Sequence, residues 1–431
     1  MKYVISTLGC KVNQYETQAM ELLLQERGHR AAAPGEAADA VIVNTCAVTA
    51  ESGRKSRQMI RRLGEENPGA VIGVCGCYSQ LSPEEAEQSG GQIIFGTGDH
   101  KGFVAALEQA VLSGGGSAET ELDDPFRRLL YEQLPAGAVS GRTRALLKIQ
   151  DGCVNFCTYC IIPYTRGRLR SLPIRAAEEE TARLASEGYR ELVLTGIEIA
   201  SYGVDLPGRP NLTDVICAIA RQSGDMRIRL GSLEPTVITE EFCTRLAEEG
   251  KVCRHFHLSL QSGCNRTLKA MNRKYDTAQF LEKVRLLRSA FPGCGITCDL
   301  IVGFPGETEE DFAETLAFIQ ACAFSDMHIF PYSRRPGTPA DKMPGQCTRA
   351  VKARRAAQAQ QVCTGMHRQY LQSCIGQTLP VLFETEENGF CTGHSDTYVL
   401  VRAPGTKLRN QVLQTVITGI DGEELKGEIQ T

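Results

Sequence analysis

Three cysteines fall within eight residues in the run Cys153-Val-Asn-Phe-Cys157-Thr-Tyr-Cys160, a C-x3-C-x2-C spacing that can turn Cys153, Cys157 and Cys160 toward one small object. Structural zinc sites and ordinary iron–sulfur clusters take four protein ligands. A set of three thiolates on a cubane cluster leaves one iron open, and an open iron is where a substrate or cofactor binds. The competing reading is a zinc knuckle or half a zinc ribbon, but no second Cys or His pair stands near by at ligand spacing.

A second constellation is spread along the chain: Cys10 in Leu8-Gly-Cys-Lys-Val-Asn13, Cys46 in Val43-Asn-Thr-Cys46, and Cys77 in Cys75-Gly-Cys-Tyr-Ser-Gln80. Each lies one to two residues past a strand candidate, respectively Tyr3–Leu8, Ala40–Thr45 and Val71–Cys75. Adjacent parallel strands run ~5 Å apart and gather their sites at the C-terminal ends, so three loop thiols can meet there. Three unrelated buried cysteines are the alternative. Strand alternation keeps Cys75 within the sheet, whereas Cys77 follows Gly76 outward, so Cys77 is the better ligand.

The elements that must position these residues form three blocks. Strand candidates alternate with helical stretches at Gln14–Arg27, about Thr49–Leu63 and after Ser82-Pro83, which predicts a doubly wound parallel α/β domain. Ser113-Gly-Gly-Gly-Ser117 and the polar stretch after it read as a linker. The rhythm then restarts with strands at Leu146–Ile149, Leu192–Thr195, Arg227–Gly231, His255–Ser259, Ile296–Val302 and Met327–Phe330. Six such units fit an open, partial (β/α)6 barrel with the C-x3-C-x2-C loop on its C-terminal rim. A basic helix over about Thr348–Ser373 leads into short strand-like runs at Thr378–Glu384, Gly389–His394, Thr397–Val401 and Val412–Ile420, a small β-barrel. The fold class is therefore mixed α/β with three units.

At 431 residues, with 42% hydrophobic and 23% charged residues, the composition is that of a soluble multidomain protein. There is no basic-plus-apolar leader and no apolar run near the ~20 residues of a membrane span, so a cytoplasmic, membrane-free setting is expected. In that setting eighteen cysteines argue against a disulfide framework. Cys217, Cys243, Cys322 and Cys363 read as small buried hydrophobes. The net charge is −4, yet basic residues cluster at Arg54–Arg62, Arg142–Arg175 and Lys342–Arg368, which suggests a phosphate-rich partner.

The C-x3-C-x2-C spacing, with Tyr159 before its last cysteine, resembles the signature of radical S-adenosylmethionine (SAM) enzymes. With Cys10, Cys46 and Cys77 added, the whole chain is similar to the methylthiotransferase family of those enzymes. The resemblance implies a methylthiotransferase domain at 1–113, a linker at 114–138, a radical-SAM core at 139–369 and an RNA-binding TRAM barrel at 372–431. It implies two 4Fe-4S clusters, on Cys10/Cys46/Cys77 and on Cys153/Cys157/Cys160, with SAM bound to the second. SAM-pocket residues are expected at the strand ends: Tyr159, Gly196, Glu234, Gln261 and Gly303. Asp151-Gly-Cys-Val-Asn-Phe-Cys-Thr-Tyr-Cys-Ile-Ile-Pro-Tyr, Gly196-Ile-Glu-Ile-Ala-Ser-Tyr-Gly203 and His255-Phe-His-Leu-Ser-Leu-Gln-Ser-Gly-Cys-Asn265 resemble the branch that modifies N6-threonylcarbamoyladenosine in tRNA.

That resemblance implies methylthiolation at C2 of this adenosine, beside the anticodon on its 3′ side. The partners would be the tRNA anticodon stem-loop and a reductant of flavodoxin or ferredoxin type, with the enzyme a monomer. The anticodon loop is expected on the basic surfaces around Arg54–Arg62, Arg166–Arg170 and Arg349–Arg355. Isopentenyl-adenosine in tRNA, an aspartate of a ribosomal protein, or a non-catalytic iron–sulfur RNA-binding role are the alternatives. One departure stands out: from Ile375 to Thr431 there are four basic residues against eight acids, a poor generic phosphate binder.

Overall fold

Apolar stretches near the start of the chain build one fully parallel sheet. The computed structural model describes residues 1–115, 119–137 and 143–430, so Ser117 of the glycine-rich stretch and Arg142 of the second basic run lie outside the described residues. The strands are β1 (Lys2–Thr7), β2 (Arg30–Ala31), β3 (Ala40–Thr45), β4 (Val71–Gly76), β5 (Ile93–Phe95) and β6 (Glu119–Glu121), in the order β2-β1-β3-β4-β5-β6. Alternation sends Ile42 to one face and Val41 and Val43 to the other. Helices Lys11–Glu26 and His100–Leu112 cover the first face with Met20, Leu24, Phe103 and Leu107. Helices Ala50–Glu66 and Pro83–Gln88 cover the second with Ile60, Leu63 and Ala86, which makes the expected doubly wound unit.

The stretch 114–138, expected as a linker, is docked in part, although Gly114, Gly115, Leu129 and Leu130 are exposed. Its Glu119–Glu121 segment adds β6 to the sheet edge, Leu134 and Ala136 are buried in the core, and the Tyr15 hydroxyl donates to the Leu134 carbonyl at 2.6 Å. An edge strand needs backbone pairing rather than an apolar pattern, so a polar sequence conceals it.

The second unit begins with β7 (Arg144–Asp151), flanked by the short antiparallel β8 (Arg170–Ser171), and continues through β9 (Glu191–Gly196) and β10 (Arg227–Leu230). After β11 (Ser232–Leu233) come β12 (His255–Gln261), β13 (Gly295–Val302) and β14 (Asp326–Pro331). All six long strands expected from the sequence are present. They form two four-stranded sheets, β10-β9-β7-β8 and β11-β12-β13-β14, with a bridge from Ile228 to Val252 between them. Among the described residues β7 and β14 do not pair, so the barrel stays open on the side that the first domain covers.

Helix Arg349–Cys374, capped by the Thr348 side chain, leads to a closed barrel of β15 (Thr378–Glu387), β16 (Phe390–Ser395), β17 (Leu400–Pro404), β18 (Val412–Asp421) and β19 (Glu424–Ile429). β19 is absent from the stretches that hydropathy picks out, because its outward residues are charged or polar. Two β10 arginines fasten this barrel to the central unit. Arg227 donates to the carbonyls of Pro380 and His394 at 2.9 and 2.8 Å, and Arg229 to those of Asp396 and Ser395 at 3.1 and 3.0 Å. Both arginines also pair with the buried Glu191. Among the described residues no helix is long and apolar enough to cross a membrane.

Candidate functional site

Adjacent β1, β3 and β4 end in register, Thr7 beside Asn44 and Thr45 beside Gly76. The residues that follow are Cys10, Cys46 and Cys77. Gly9, at φ +113°, lets the first loop close on the second: a Cβ there would lie 3.1 Å from the Cys46 Sγ. Asn13 staples the loops, its amide donating to the carbonyls of Leu8 and Thr45, both at 2.9 Å. Cys77 opens a five-residue helix instead of lying in a loop, because Gly76 at φ +101° turns the chain at once. Burial pushes the Cys77 thiol up to about 12, and the neighbouring Cys10 and Cys46 add to the rise. Cys75 points the other way, into the sheet core, with its Sγ 4.0 Å from the Met20 Sδ.

The second triplet hangs on β7. Gly152, at φ +75°, brings the loop back so that the Cys153 N–H donates to the Gly167 carbonyl at 3.0 Å. Thr158 N–H donates to the Met271 carbonyl, and the Asn272 amide to those of Asn155 and Phe156, which pin the loop's middle. Cys153, Cys157 and Cys160 interact electrostatically, and burial raises the Cys153 and Cys160 thiols to about 12. The helix Cys77–Leu81 packs against the helix Ile162–Arg166 that follows Cys160, so the two triplets come to the same domain junction. Ile162, just past the second triplet, packs in the cluster that contains Cys77 and Tyr78.

Both sets fit an iron–sulfur cluster. Each offers three thiols, and each has a guanidinium at hand for an anionic group. Near the first triplet, Arg335 brings its Nη1 close to Gly53 on the helix that follows Cys46, and its buried Nε has no partner among the described residues. At the second, Arg273 donates to the Cys157 Sγ at 3.2 Å and the Asn155 N–H to the Cys153 Sγ at 3.5 Å. Arg273 has no motif around it that marks it in the sequence; the fold alone delivers it.

The expected pocket residues have mixed surroundings. Glu234 is buried against Arg273. Nearby Glu198 accepts from the Asn155 amide at 3.1 Å, and burial, reinforced by the Glu234 charge, pushes its carboxyl up to about 7. Tyr159 packs with Met271, Phe304 and Tyr332, and Gln261 ends β12 at φ +65°. Gly196 and Gly303 each stand against close protein neighbours, and Gly196 also lines a cavity. A Cβ at Gly196 would lie 2.7 Å from Ile199 and 2.8 Å from the Gln150 carbonyl, and one at Gly303 would lie 2.5 Å from Lys352. Glu307 does not cap the next helix, which Thr308 does; it accepts from the Gly303 N–H and pairs with the buried Arg355.

The expected basic surfaces are corrected in part. Arg166, Arg170 and Arg355 are buried in ion pairs, whereas Lys55, Arg61, Arg168 and Arg349 are exposed.

A cavity of about 570 Å³ runs from Cys10 and Gly196 along the inner wall of β12, β13 and β14 to Thr397 and Tyr398 of the terminal barrel. His257, Asp299 and His328 stand on that wall, with ligand atoms all within 4.8 Å of one another.

Residues 147–319 match the Radical SAM superfamily, and residues 2–96 match an uncharacterized protein family, UPF0004. A threonylcarbamoyladenosine tRNA methylthiotransferase MtaB of Bacillus subtilis is 40% identical over 93% of this chain and 90% of its own length; that of Thermotoga maritima is 37% identical over 92% and 89%. A tRNA-2-methylthio-N(6)-dimethylallyladenosine synthase of Pelotomaculum thermopropionicum is 33% identical over 99% and 97%. The solved radical SAM methyltransferase TsrM of Kitasatospora setae shares the fold, at TM-score 0.58 and 15% identity over 90% of this chain and 79% of that one. Two cysteine triplets on these two domains, with relatives of this identity over nearly the full length, show that the chain belongs to the methylthiotransferase family of radical-SAM enzymes.

Proposed function

We propose that this enzyme methylthiolates C2 of N6-threonylcarbamoyladenosine next to the anticodon, on its 3′ side, in tRNA, giving the 2-methylthio derivative. In this reading Cys153, Cys157 and Cys160 hold the cluster that takes SAM, and Cys10, Cys46 and Cys77 hold the second. The observation that carries it is the packing of the helix that Cys77 opens against the helix Ile162–Arg166 just past Cys160, which brings both triplets to one junction. The threonylcarbamoyl substrate is favoured by the names of the relatives at 40% and 37% identity.

When bound, SAM and the two clusters supply one-electron chemistry and a sulfur donor for a C–H bond that acid–base groups cannot break. The chain's own residues bind, orient and keep water out. Arg273 ties Cys157 to Glu234 and to the Ser259 carbonyl, which fixes the second triplet against the end of β12. Arg335 places a cation by the helix that follows Cys46. Ile162, Tyr78 and Ala47 close the junction with apolar surface. Phe330, Val12 and Val399 line the cavity between the polar groups. The work takes place in the cytoplasm, by a monomer that draws electrons from a flavodoxin- or ferredoxin-type donor.

Mass spectrometry of tRNA nucleosides from a strain lacking the gene tests the substrate. Loss of 2-methylthio-N6-threonylcarbamoyladenosine is expected, and its persistence without a redundant enzyme refutes the reading. The second reading, the same chemistry on isopentenyl-adenosine, is favoured by relatives at 33–35% identity named for the dimethylallyl nucleoside. It predicts loss of that product in the same spectrum.

A further inference from the structure

We infer that His328, backed by Asp299 and His257, is the specificity-determining group that receives the carboxylate of the substituent on N6 of the target adenosine. The inference rests on the tRNA reading above and assigns the side chains that read the substituent. Asp299 on β13 stands between two imidazoles, its Oδ2 3.3 Å from the His257 Nε2 and its Oδ1 3.2 Å from the His328 Nδ1. With Nδ1 so engaged, the nitrogen that His328 offers to a ligand is Nε2, on a ring that lines the cavity and is 62% exposed. The His328 Nδ1–H donates to Asp299, and this hydrogen bond raises the His328 pKa, which favours the doubly protonated ring whose Nε2 also donates.

The wall behind is built to stay in place. The Thr297 hydroxyl lies 2.8 Å from the His257 Nδ1 and 3.0 Å from the His255 Nε2, linking both rings. His255 is 4% exposed and lines the cavity, and its Nδ1 has no partner among the described residues. Lys11, next to Cys10, adds a cation to the opposite wall. The second acid on the wall, Asp326, is turned onto the Met327 N–H and the Cys363 thiol.

The chemistry of the base makes this wall meet the substituent. In adenine C2 and N6 flank the same ring nitrogen, so a group on N6 shares a chamber with the carbon that gains sulfur. A branched alkenyl group there would strip water from His328, His257 and Lys11 and return no hydrogen bond, which is costly. A substituent bearing a carboxylate and a hydroxyl returns them, and a charge-assisted bond is the stronger kind.

Binding of synthetic anticodon stem-loops to the cluster-loaded enzyme, without reductant, separates the possibilities. The loops carry N6-threonylcarbamoyladenosine, its threoninamide analogue, or N6-isopentenyladenosine. Wild type should bind the threonyl loop about 10- to 100-fold more tightly than the threoninamide loop, and His328→Phe should bring that ratio close to one. Cluster absorbance and the unfolding midpoint check that the variant is folded; if it is not, His328→Gln and His257→Phe are read instead. A ratio close to one in wild type overturns the inference, as does a wild-type ratio that persists in the variants. If both threonyl-type loops still exceed the isopentenyl loop, the substrate reading survives that loss. Preference of wild type for the isopentenyl loop overturns both.

Discussion

Arg166 donates its two terminal guanidinium nitrogens to the two carboxylate oxygens of Glu16, at 2.7 and 3.0 Å, and neither side chain has any solvent exposure. Glu16 stands on the helix that follows Cys10, and Arg166 lies six residues beyond Cys160, so this pair joins the supports of the two triplets. Arg166 also donates to the Asn13 side chain at 3.1 Å, and Lys148 and Asp151 complete the network.

Removing one member of a buried pair leaves an uncompensated charge, which costs about 3–5 kcal/mol. Arg166→Ala should therefore lower the urea midpoint by a corresponding amount. Arg166→Lys, which keeps the charge but not the fork, should fall in between. An unchanged midpoint for Arg166→Ala would refute a structural role for the pair.

His100 supplies a pH dependence. Burial disfavours its charge, but Glu132 and Glu16 outweigh this and raise its pKa to about 9. A histidine raised in the folded state stabilises fully below its unfolded value of about 6.5, and that stability is lost as pH climbs toward 9. The contribution is on the order of 3 kcal/mol. Wild type should lose stability from pH 6.5 to 9 more steeply than His100→Gln, as read from unfolding midpoints across that range. Parallel curves would dismiss the assignment.

Cys75 and Cys77 should part ways on substitution. Cys77→Ala should abolish methylthiolation and leave roughly four irons per chain in place of roughly eight, while reductive SAM cleavage stays measurable. Cys75→Ala should keep both clusters and cost about 1 kcal/mol from a small cavity beside Met20. The reverse pattern of iron content would reassign the ligand.

With Arg166, Arg170 and Arg355 taken up internally, the proposed tRNA contact is to be sought at the exposed Lys55, Arg61, Arg168 and Arg349. Lys55→Ala and Arg61→Ala should each weaken tRNA binding across sequences and reduce the log–log salt slope by about one. Salt-insensitive binding by wild type would remove phosphate contact from the picture.

Much of this architecture was legible because period and punctuation agree. Helix Lys11–Glu26 ends where Gly28 stands at φ +81°, and Thr49 and Thr348 cap the helices expected after them. The triplet at Cys10, Cys46 and Cys77 could be read only because strand ends place it; linear spacing carries no trace of it. What escaped was decided by partners far away in sequence. Arg166 looks like surface charge until Glu16 is brought to it, and nothing near Gly303 in the sequence shows that Lys352 lies against it. β6 escaped because hydrogen bonding to β5, and no side-chain pattern, holds it. Arg273 and the trio His257, Asp299 and His328 sit on separate elements, so no local motif joins them.

The fastening of the terminal barrel by Arg227 and Arg229 has a metric consequence. Four backbone carbonyls of that barrel are held by side chains of one strand of the central unit, and Tyr398 reaches from it into the cavity. The distance from the barrel's outer surface to the cysteines is then a built-in length, set before any RNA arrives. In the tRNA reading proposed above, a part so fastened works as a gauge: Tyr398 keeps one span from the cysteines whatever the RNA does.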